Sequence, residues 1–418
     1  MRLHRCSSVG ALTLAAILVV PAALASPVGA ATVFRPPASI DHAANCSSPT
    51  LKDEGDAINT WLAGLRTHPG DVVRFAPNQC YRTDETVRLA GKHDLTLDGN
   101  GATFASFHDA RRGRTNAHLS VQSDTNVTVE HLNIVGSDPG GYVPNLEAQH
   151  GFYILGGAGV TLDHVAVNGV YGDFVALQRD SQRVTPTGIT IKNSRFGASS
   201  TSKAGAGRQE LTIDDGINVL VINNYFGHGS RSAVDIEPTS VHAKIHKITI
   251  AFNTFGPNPN YWFANHGVHA PISSIYFLRN TLVDRPMRVT SVDPVGAVNR
   301  TDYRFIGNVS STTQTPRNCQ HGRGEIMRFV RVSSLVITSN VQRMQPGTNH
   351  TCRSFVHGSH IKGATVASNH LQNVRVVGAF DPTSRRVCEG SNYLGRHFVS
   401  LHLAPVDLRA AVCPALLP

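Results

Sequence analysis

The chain has 418 residues, of which 41% are hydrophobic and 7% aromatic, and 38 Lys and Arg outnumber 29 Asp and Glu to give a formal charge of +9. A basic balance favours an anionic partner over a neutral one. No run of Lys and Arg is interleaved with aromatic residues, so the composition gives no support to nucleic-acid binding.

The first 31 residues read as a secretory signal peptide. A basic start is followed by an apolar run over 11–20 and by small residues before a cleavage point near Ala30 or Ala31. Pro21 breaks the run, which is too short to span a bilayer, and no later segment is comparably apolar. We expect a secreted, extracellular monomer of charge about +7, without an integral membrane segment.

Six cysteines remain once Cys6 leaves with the signal peptide, and an even set in an exported chain predicts disulfides. The sequence does not give their connectivity. We expect local pairs: Cys46 with Cys80, Cys319 with Cys352, and Cys388 with Cys413. No CxxC or His/Cys spacing indicates zinc.

After an N-terminal extension over 32–52, the segment Asp53 to Leu65 predicts an amphipathic helix. Ile58, Trp61 and Leu62 fall on one side of it together with Leu65. Such a helix is suited to cap the open end of a repetitive structure, where a strand edge and an apolar core would otherwise meet water.

A repeat follows the helix and continues along the chain. Segments of the form apolar-x-apolar-x-x-Asn-x-apolar advance by about 27 to 33 residues, beginning with "LTLDGNGA" at Leu95 and continuing to "ATVASNHL" at Ala364. Each has β-branched residues in period-2 alternation, and none has a convincing helical period. This repeat length suits one coil of a parallel β-helix.

Asparagines occupy the same phase in successive repeats. Stacked coils would place them roughly 4.8 Å apart, where their amides can bond to one another and to the backbone, and Asn tolerates a left-handed turn conformation. The six are Asn224, Asn253, Asn280, Asn308, Asn340 and Asn369.

With these repeats and its opening "DVVRFAPNQCYRTDETVRLAGKHDLTLDGNGATF", the chain resembles the pectin-lyase-like superfamily from about Asp53 to Asn373. The resemblance implies an all-β, right-handed parallel β-helix solenoid, here of about ten coils with a short N-terminal capping helix. It also implies a polysaccharide-related activity, although the fold does not fix the reaction. We assign the β-helix domain to 53–380 and a C-terminal capping segment to 381–418.

A second strand in each coil carries the candidate site. We align "GDFVALQ" (172–178), "RQELTID" (208–214), "RSAVDIE" (231–237) and "NHGVHAP" (265–271) by their inward apolar positions, Val175, Leu211, Val234 and Val268. The alignment places Asp214 one coil from Glu237 and His269 one coil beyond Asp235. Arg208 and Arg231 repeat at the strand starts.

Carboxylates stacked this closely are costly unless a proton, a cation or an arginine intervenes, so at least one pKa should be raised. In a hydrolase, one of Asp214, Asp235 and Glu237 would be the acid and another the base or nucleophile. In a lyase, the same three would hold a Ca²⁺ ion that neutralises a uronate carboxylate. Arg231, His228 or His269 would then remove the proton next to that carboxylate. The sequence leaves both mechanisms open.

Substrate binding is expected from polar and aromatic residues around this face. Tyr261 and Trp262 offer rings for sugar stacking, although packing of their loop explains them equally well. The polar candidates are Asp173, Gln178, Arg208, Glu210 and His228. We expect an enzyme that degrades an acidic, uronate-containing extracellular polysaccharide, with a noncatalytic glycan-binding protein as the alternative.

Overall fold

The computed structural model describes residues 31–47, 51–107, 117–138, 146–197, 207–227, 229, 231–257, 261–268, 270–292, 300–312, 319, 324–344 and 351–394. In these residues, three parallel sheets of 13, 11 and 12 strands run side by side along one solenoid. The predicted fold class is confirmed. Each sheet gains one strand per coil, so the coils slightly outnumber the ten expected.

The first sheet contains β1 (Val33–Phe34), β2 (Val72–Arg74), β5 (Thr96–Asp98), β8 (Thr128–Glu130), β11 (Thr161–Asp163), β14 (Thr190–Lys192), β17 (Gly216–Ile222), β20 (Ile245–Ala251), β23 (Ile272–Leu278), β26 (Arg300–Ile306), β29 (Val332–Thr338), β32 (Lys362–Ala367) and β35 (Arg385–Glu389).

The second sheet, called the groove sheet below, contains β4 (Val87–Ala90), β7 (Leu119–Gln122), β10 (Phe152–Leu155), β13 (Val175–Gln178), β16 (Leu211–Ile213), β19 (Val234–Ile236), β22 (Phe263–Asn265), β25 (Val289–Val292), β28 (Glu325–Val330), β31 (Cys352–Ser359) and β34 (Val374–Phe380).

The third sheet contains β3 (Cys80–Arg82), β6 (Thr103–Ala105), β9 (Asn133–Val135), β12 (Ala166–Asn168), β15 (Arg195–Phe196), β18 (Tyr225–Phe226), β21 (Thr254–Phe255), β24 (Thr281–Val283), β27 (Val309–Thr312), β30 (Val341–Met344), β33 (His370–Leu371) and β36 (Tyr393–Leu394).

The interior of the solenoid is one continuous apolar cluster from Ile40 to Phe380. Alternate strand residues point inwards and stack on the same position of the next coil, because the strands pair in parallel register. Phe196, Phe226 and Phe255 form such a column, with successive ring centroids 5.1 Å apart. The column continues the hydrophobic alternation seen in the repeats.

The predicted asparagine column is a buried hydrogen-bond ladder. Asn253 Nδ2 donates to Asn280 Oδ1 at 3.1 Å and to the carbonyl of Val221 at 2.9 Å. The ladder extends past the six predicted residues, since Asn369 donates to Asn392 at 2.9 Å. The left-handed conformation belongs to the preceding residue, as at Phe252 (φ 55°), and not to the ladder asparagine.

The capping helix α1 spans Gly55–Gly64, within the predicted Asp53 to Leu65. Ile58 and Leu62 are buried against the first coil, and Trp61 packs edge-on against Phe75 with centroids 5.8 Å apart. The helix therefore covers the apolar end of the solenoid, as predicted.

Two of the predicted disulfides, Cys46–Cys80 and Cys319–Cys352, are confirmed. Cys388 is also disulfide-bonded, and its predicted partner, Cys413, lies outside the described residues. The predicted signal peptide lies outside them as well, apart from residue 31. No helix in the described part of the chain is long and apolar enough to cross a membrane.

Candidate functional site

The groove sheet brings the predicted acidic residues to neighbouring strands. Ile213 of β16 pairs with Ile236 of β19, so the residues that follow, Asp214 and Glu237, occupy neighbouring positions. Asp235 lies two residues before Glu237 and therefore on the same outer face. Together with Asp173, which precedes β13, these side chains are called the acidic cluster.

Arg208 holds two members of the acidic cluster together. Its Nη2 donates to Glu237 Oε2 at 2.7 Å, and its Nε lies 3.3 Å from Asp173 Oδ1. Glu147 approaches the same guanidinium at 3.7 Å. One arginine thus partly neutralises three carboxylates, because its planar head presents donors in several directions.

Asp235 is completely buried and held from two sides. Gln209 Nε2 donates to its Oδ2 at 2.6 Å, and His266 Nδ1 lies 3.2 Å from its Oδ1. Burial raises the pKa of Asp235, and the contact with His266 opposes that change. The same contact raises the pKa of His266, whose ring is half exposed to the groove.

Asp214 and Asp173 retain protons to unusually high pH. Burial, followed by the charges of Asp173 and Glu237, raises the pKa of Asp214 to about 8. Burial raises the pKa of Asp173 to about 6, although Arg208 acts in the opposite direction. The cluster therefore combines a carboxyl that keeps its proton at neutral pH, Asp214, with Glu237, which pairs with an arginine.

The neighbouring coil provides the next wall of the groove. The Tyr153 hydroxyl donates a hydrogen bond to Gln178. Burial raises the pKa of Tyr153, and the charge of Asp214 raises it further. The ring of His150 lies 5.0 Å from that of Tyr153, and its Nδ1 accepts from the backbone N–H of Asp173 at 3.1 Å. Burial and the charge of Arg208 lower the pKa of His150 to about 3, so it stays neutral and serves as an acceptor.

The register predicted for the fourth groove strand is wrong. Asp235 pairs in register with Ala264, because β22 starts at Phe263, five residues before Val268. Val268, predicted to point inwards, is 37% exposed. His266 makes the contact with Asp235, whereas His269 itself lies outside the described residues.

Two predicted substrate-binding residues are buried and make structural contacts. Glu210 is fully buried and accepts from Arg285 Nη2 at 2.7 Å, so it does not reach the groove. Trp262 is also fully buried, with its ring centroid 4.8 Å from that of Phe277. Both predictions are corrected, because a side chain with no exposed surface does not contact a glycan.

Arg231 and Tyr261 lie just before the groove strands β19 and β22. Arg231 is exposed, and its backbone N–H donates to the Arg208 carbonyl at 2.9 Å. Tyr261 is half-buried beneath Arg288, whose guanidinium lies 4.0 Å from its ring centroid. His228 lies outside the described residues.

The predicted calcium set of Asp214, Asp235 and Glu237 does not fit the geometry. The ligand atoms that lie within 4.8 Å of one another belong to Asp235, Glu237 and His266, without Asp214. Gln209 and Arg208 direct N–H groups at Asp235 and Glu237, and His266 lies 3.2 Å from Asp235, whereas Ca²⁺ needs six to eight free oxygen ligands. The donor set therefore favours proton chemistry over calcium binding.

Several contributors were missed from the sequence: Glu147, His150, Tyr153, Gln209 and His266. Gln209 lies inside the segment "RQELTID", beside residues that were chosen. His266 would have been found by choosing "WFAN" as the fourth strand, since Phe263 and Asn265 fit the inward positions equally well. Glu147 and His150 lie in a connection, and alternation carries no signal there.

No protein-family model matches the chain. No curated protein matches it either. Among solved structures, the DFA-IIIase from Arthrobacter chlorophenolicus A6 without its lid aligns with a TM-score of 0.53 and 12% identity, over 87% of this chain and 98% of that one.

Two further structures show lower similarity. The Family 28 exopolygalacturonase of Yersinia enterocolitica has a TM-score of 0.45 and 12% identity, over 88% of this chain and 77% of its own. The alginate lyase from Paenibacillus sp. str. FPU-7 has a TM-score of 0.45 and 10% identity, over 81% and 96%. At such identities a structural match shows the fold alone. The chain has the parallel β-helix fold that the resemblance seen in the sequence implies.

Proposed function

We propose that this chain is an exported glycoside hydrolase that cleaves an extracellular polysaccharide in the groove above β13, β16 and β19. The carrying observation is the pairing of two unlike carboxyls on neighbouring strands. Glu237 is held by Arg208 at 2.7 Å, whereas Asp214 has no cation within ion-pair distance among the described residues. Glycoside hydrolysis requires such a pair, with one carboxyl protonated and the other ionised.

Asp214 is the general acid in this proposal. Its raised pKa keeps the proton on the carboxyl at neutral pH, ready for transfer to the glycosidic oxygen as the bond to the sugar breaks. Glu237 is the base or nucleophile on the neighbouring strand, because Arg208 stabilises its ionised form.

His266 and Asp235 form a supporting pair. Asp235 is buried and does not touch substrate, but it orients the half-exposed imidazole of His266 towards the groove. His266 is then placed to donate a hydrogen bond to a sugar hydroxyl or to the developing charge. Asp235, predicted from the sequence to be catalytic, becomes a positioning residue.

A screen of the purified mature protein against pectate, alginate, glycosaminoglycans and neutral glycans tests the proposal. New reducing ends without unsaturated-uronate absorbance are expected, and Asp214→Asn should lower the rate on the order of 10²–10⁴-fold. The matched control is Asp163→Asn, which changes a half-buried aspartate on the first sheet and should leave the rate unchanged.

Two outcomes would contradict the hydrolase. Absorbance of unsaturated uronate accompanying the reducing ends would identify a lyase. Binding of a glycan without any new reducing ends across the panel would identify a noncatalytic binding protein. A fold maintained in Asp214→Asn, checked by circular dichroism, excludes unfolding as the cause of a lost rate.

A further inference from the structure

The positive charge of the chain is concentrated in its last third. Residues 300–394 contain 12 Arg and Lys but only four Asp and Glu, so this segment accounts for +8 of the overall +9. The remainder of the chain is nearly neutral. A weakly basic composition therefore conceals a strongly basic end of the solenoid.

Part of this charge lies on the groove sheet in the same column as the acidic cluster. From Asp235 the register passes to Ala264, Thr290, Arg328 and His357 on successive strands. With strands about 4.8 Å apart, Arg328 lies roughly 14 Å from the position of Asp235. The two intervening side chains are small and uncharged: Ala264 is buried and Thr290 is half-buried.

Two more arginines extend the basic part of the sheet. Arg353 of β31 and Arg375 of β34 are exposed and lie opposite each other, because Cys352 pairs with Val374 and Ser354 with Val376. Arg328, Arg353, Arg375 and His357 are called the basic platform.

Acidic residues are scarce around the basic platform in the part of the chain that the structure describes. None of its three arginines forms an ion pair within the described part of the chain. The connections that precede β28 and β31, 313–324 and 345–351, contain no Asp or Glu in sequence. Strands β28, β31 and β34 hold one acid, Glu325, which is half-buried, whereas Arg328 is exposed.

Like charges on adjacent strands destabilise a sheet, so an uncompensated arginine pair is a cost to the folded state. An anionic ligand removes that cost, and guanidinium groups match carboxylate and sulfate in geometry as well as charge. A single small anion would not use residues spread over three strands, whereas a polymer with charges at intervals would contact all of them.

We propose that the basic platform is a distal subsite that binds the carboxylate or sulfate groups of an anionic polysaccharide, whose chain runs along the groove sheet from the acidic cluster. The proposal rests on the proposed function for the position of the cleaved bond, but binding at the platform does not require cleavage. The platform adds a substrate class to the proposed function: the substrate is a polyanion that is also bound several sugar residues from the cleaved bond.

Isothermal titration calorimetry tests the platform. The ligands are polygalacturonate, a chondroitin sulfate and a neutral glycan of matched length, and each is titrated into the wild type and into the Asp214→Asn variant. Arg328→Gln should weaken binding of an anionic glycan about three- to fivefold, and Arg328→Gln with Arg375→Gln by about tenfold or more. Added salt should shrink these differences, since exposed charges are screened. The control, Arg385→Gln, removes one exposed charge from β35 of the first sheet and should change affinity less than about twofold.

The outcomes separate this proposal from the hydrolase. Arginine-dependent binding of a polyanion by a wild type that produces no reducing ends supports the platform and rejects the hydrolase. Equal affinity for neutral and anionic glycans, or equal losses in Arg328→Gln and Arg385→Gln, overturns the platform even if hydrolysis is observed. A preference between uronate and sulfate identifies which anionic group the platform recognises.

Discussion

His266 Nδ1 lies 3.2 Å from Asp235 Oδ1, which joins a half-exposed imidazole to a fully buried carboxyl. Because the two act as a unit, substitutions at these positions should not be additive. Asp235→Asn and His266→Gln should each lower activity by on the order of 10²-fold, and the double variant should be little worse than either. A double-mutant cycle on the rate measures this coupling, and fully additive losses would refute it.

The pH–rate profile should have an alkaline limb near pH 8, the pKa of Asp214. The raised pKa means that the folded chain keeps the proton that general acid catalysis consumes, so the rate falls as pH rises through that value. Arg208→Gln should move the alkaline limb to higher pH, since the charge of Arg208 lowers the pKa of Asp214. An unmoved limb in that variant would mean that another group sets it.

Asp214 should also make the folded state less stable at alkaline pH. Its pKa is about 8 when folded against an ordinary value of 3.8, so the folded state binds more protons between these values and stability falls as pH rises. Asp214→Asn should therefore raise the melting temperature at about pH 9 but have little effect at about pH 4. Equal effects at both pH values would contradict the raised pKa.

Breaking the Glu210–Arg285 pair should destabilise the solenoid without a direct effect on the chemistry. Both side chains are fully buried at 2.7 Å, and removal of one partner leaves an uncompensated buried charge, so Glu210→Gln should cost about 3–5 kcal/mol. The control is Arg304→Gln, since Arg304 pairs with Asp302 at the same 2.7 Å on the surface and should contribute about 0–1 kcal/mol. Denaturant unfolding measures both changes.

The asparagine ladder should contribute most in the middle of the solenoid. Asn280 accepts from the Asn253 backbone and donates to Ile250 and Asn308, all of them buried, so Asn280→Ala should cost about 1–3 kcal/mol for each group left unpaired. Asn392 is half-buried at the last coil, and Asn392→Ala should cost less because water replaces its bonds. If Asn392→Ala lowers the free energy of unfolding more than Asn280→Ala does, fraying of the last coil limits the stability of the solenoid.

Local patterns were sufficient to predict the architecture. The period-2 alternation of the repeats, the in-phase asparagines and the amphipathic segment around Trp61 each depend on residues close in sequence. For the same reason, Arg208, Asp214 and Glu237 were placed correctly on adjacent strands, since Leu211 and Val234 fix an unambiguous register.

Prediction failed where the connection between coils is longer and two segments fit the same alternation. "WFAN" and "NHGVHAP" both offer inward apolar positions, and only packing of the coil selects Phe263 over Val268, which brings His266 to Asp235.

The sequence by itself determined the repeat and the face that carries the carboxyls, because these follow from spacing along the chain. It allowed local disulfide pairs to be expected, and the structure decided that two of them form. Only the tertiary structure decided which charges are buried. Glu210 meets Arg285 across 75 residues of sequence, and Trp262 enters the core although its segment reads as a surface loop. Burial of a side chain depends on which residues of the neighbouring coils pack against it, and those residues are distant in sequence.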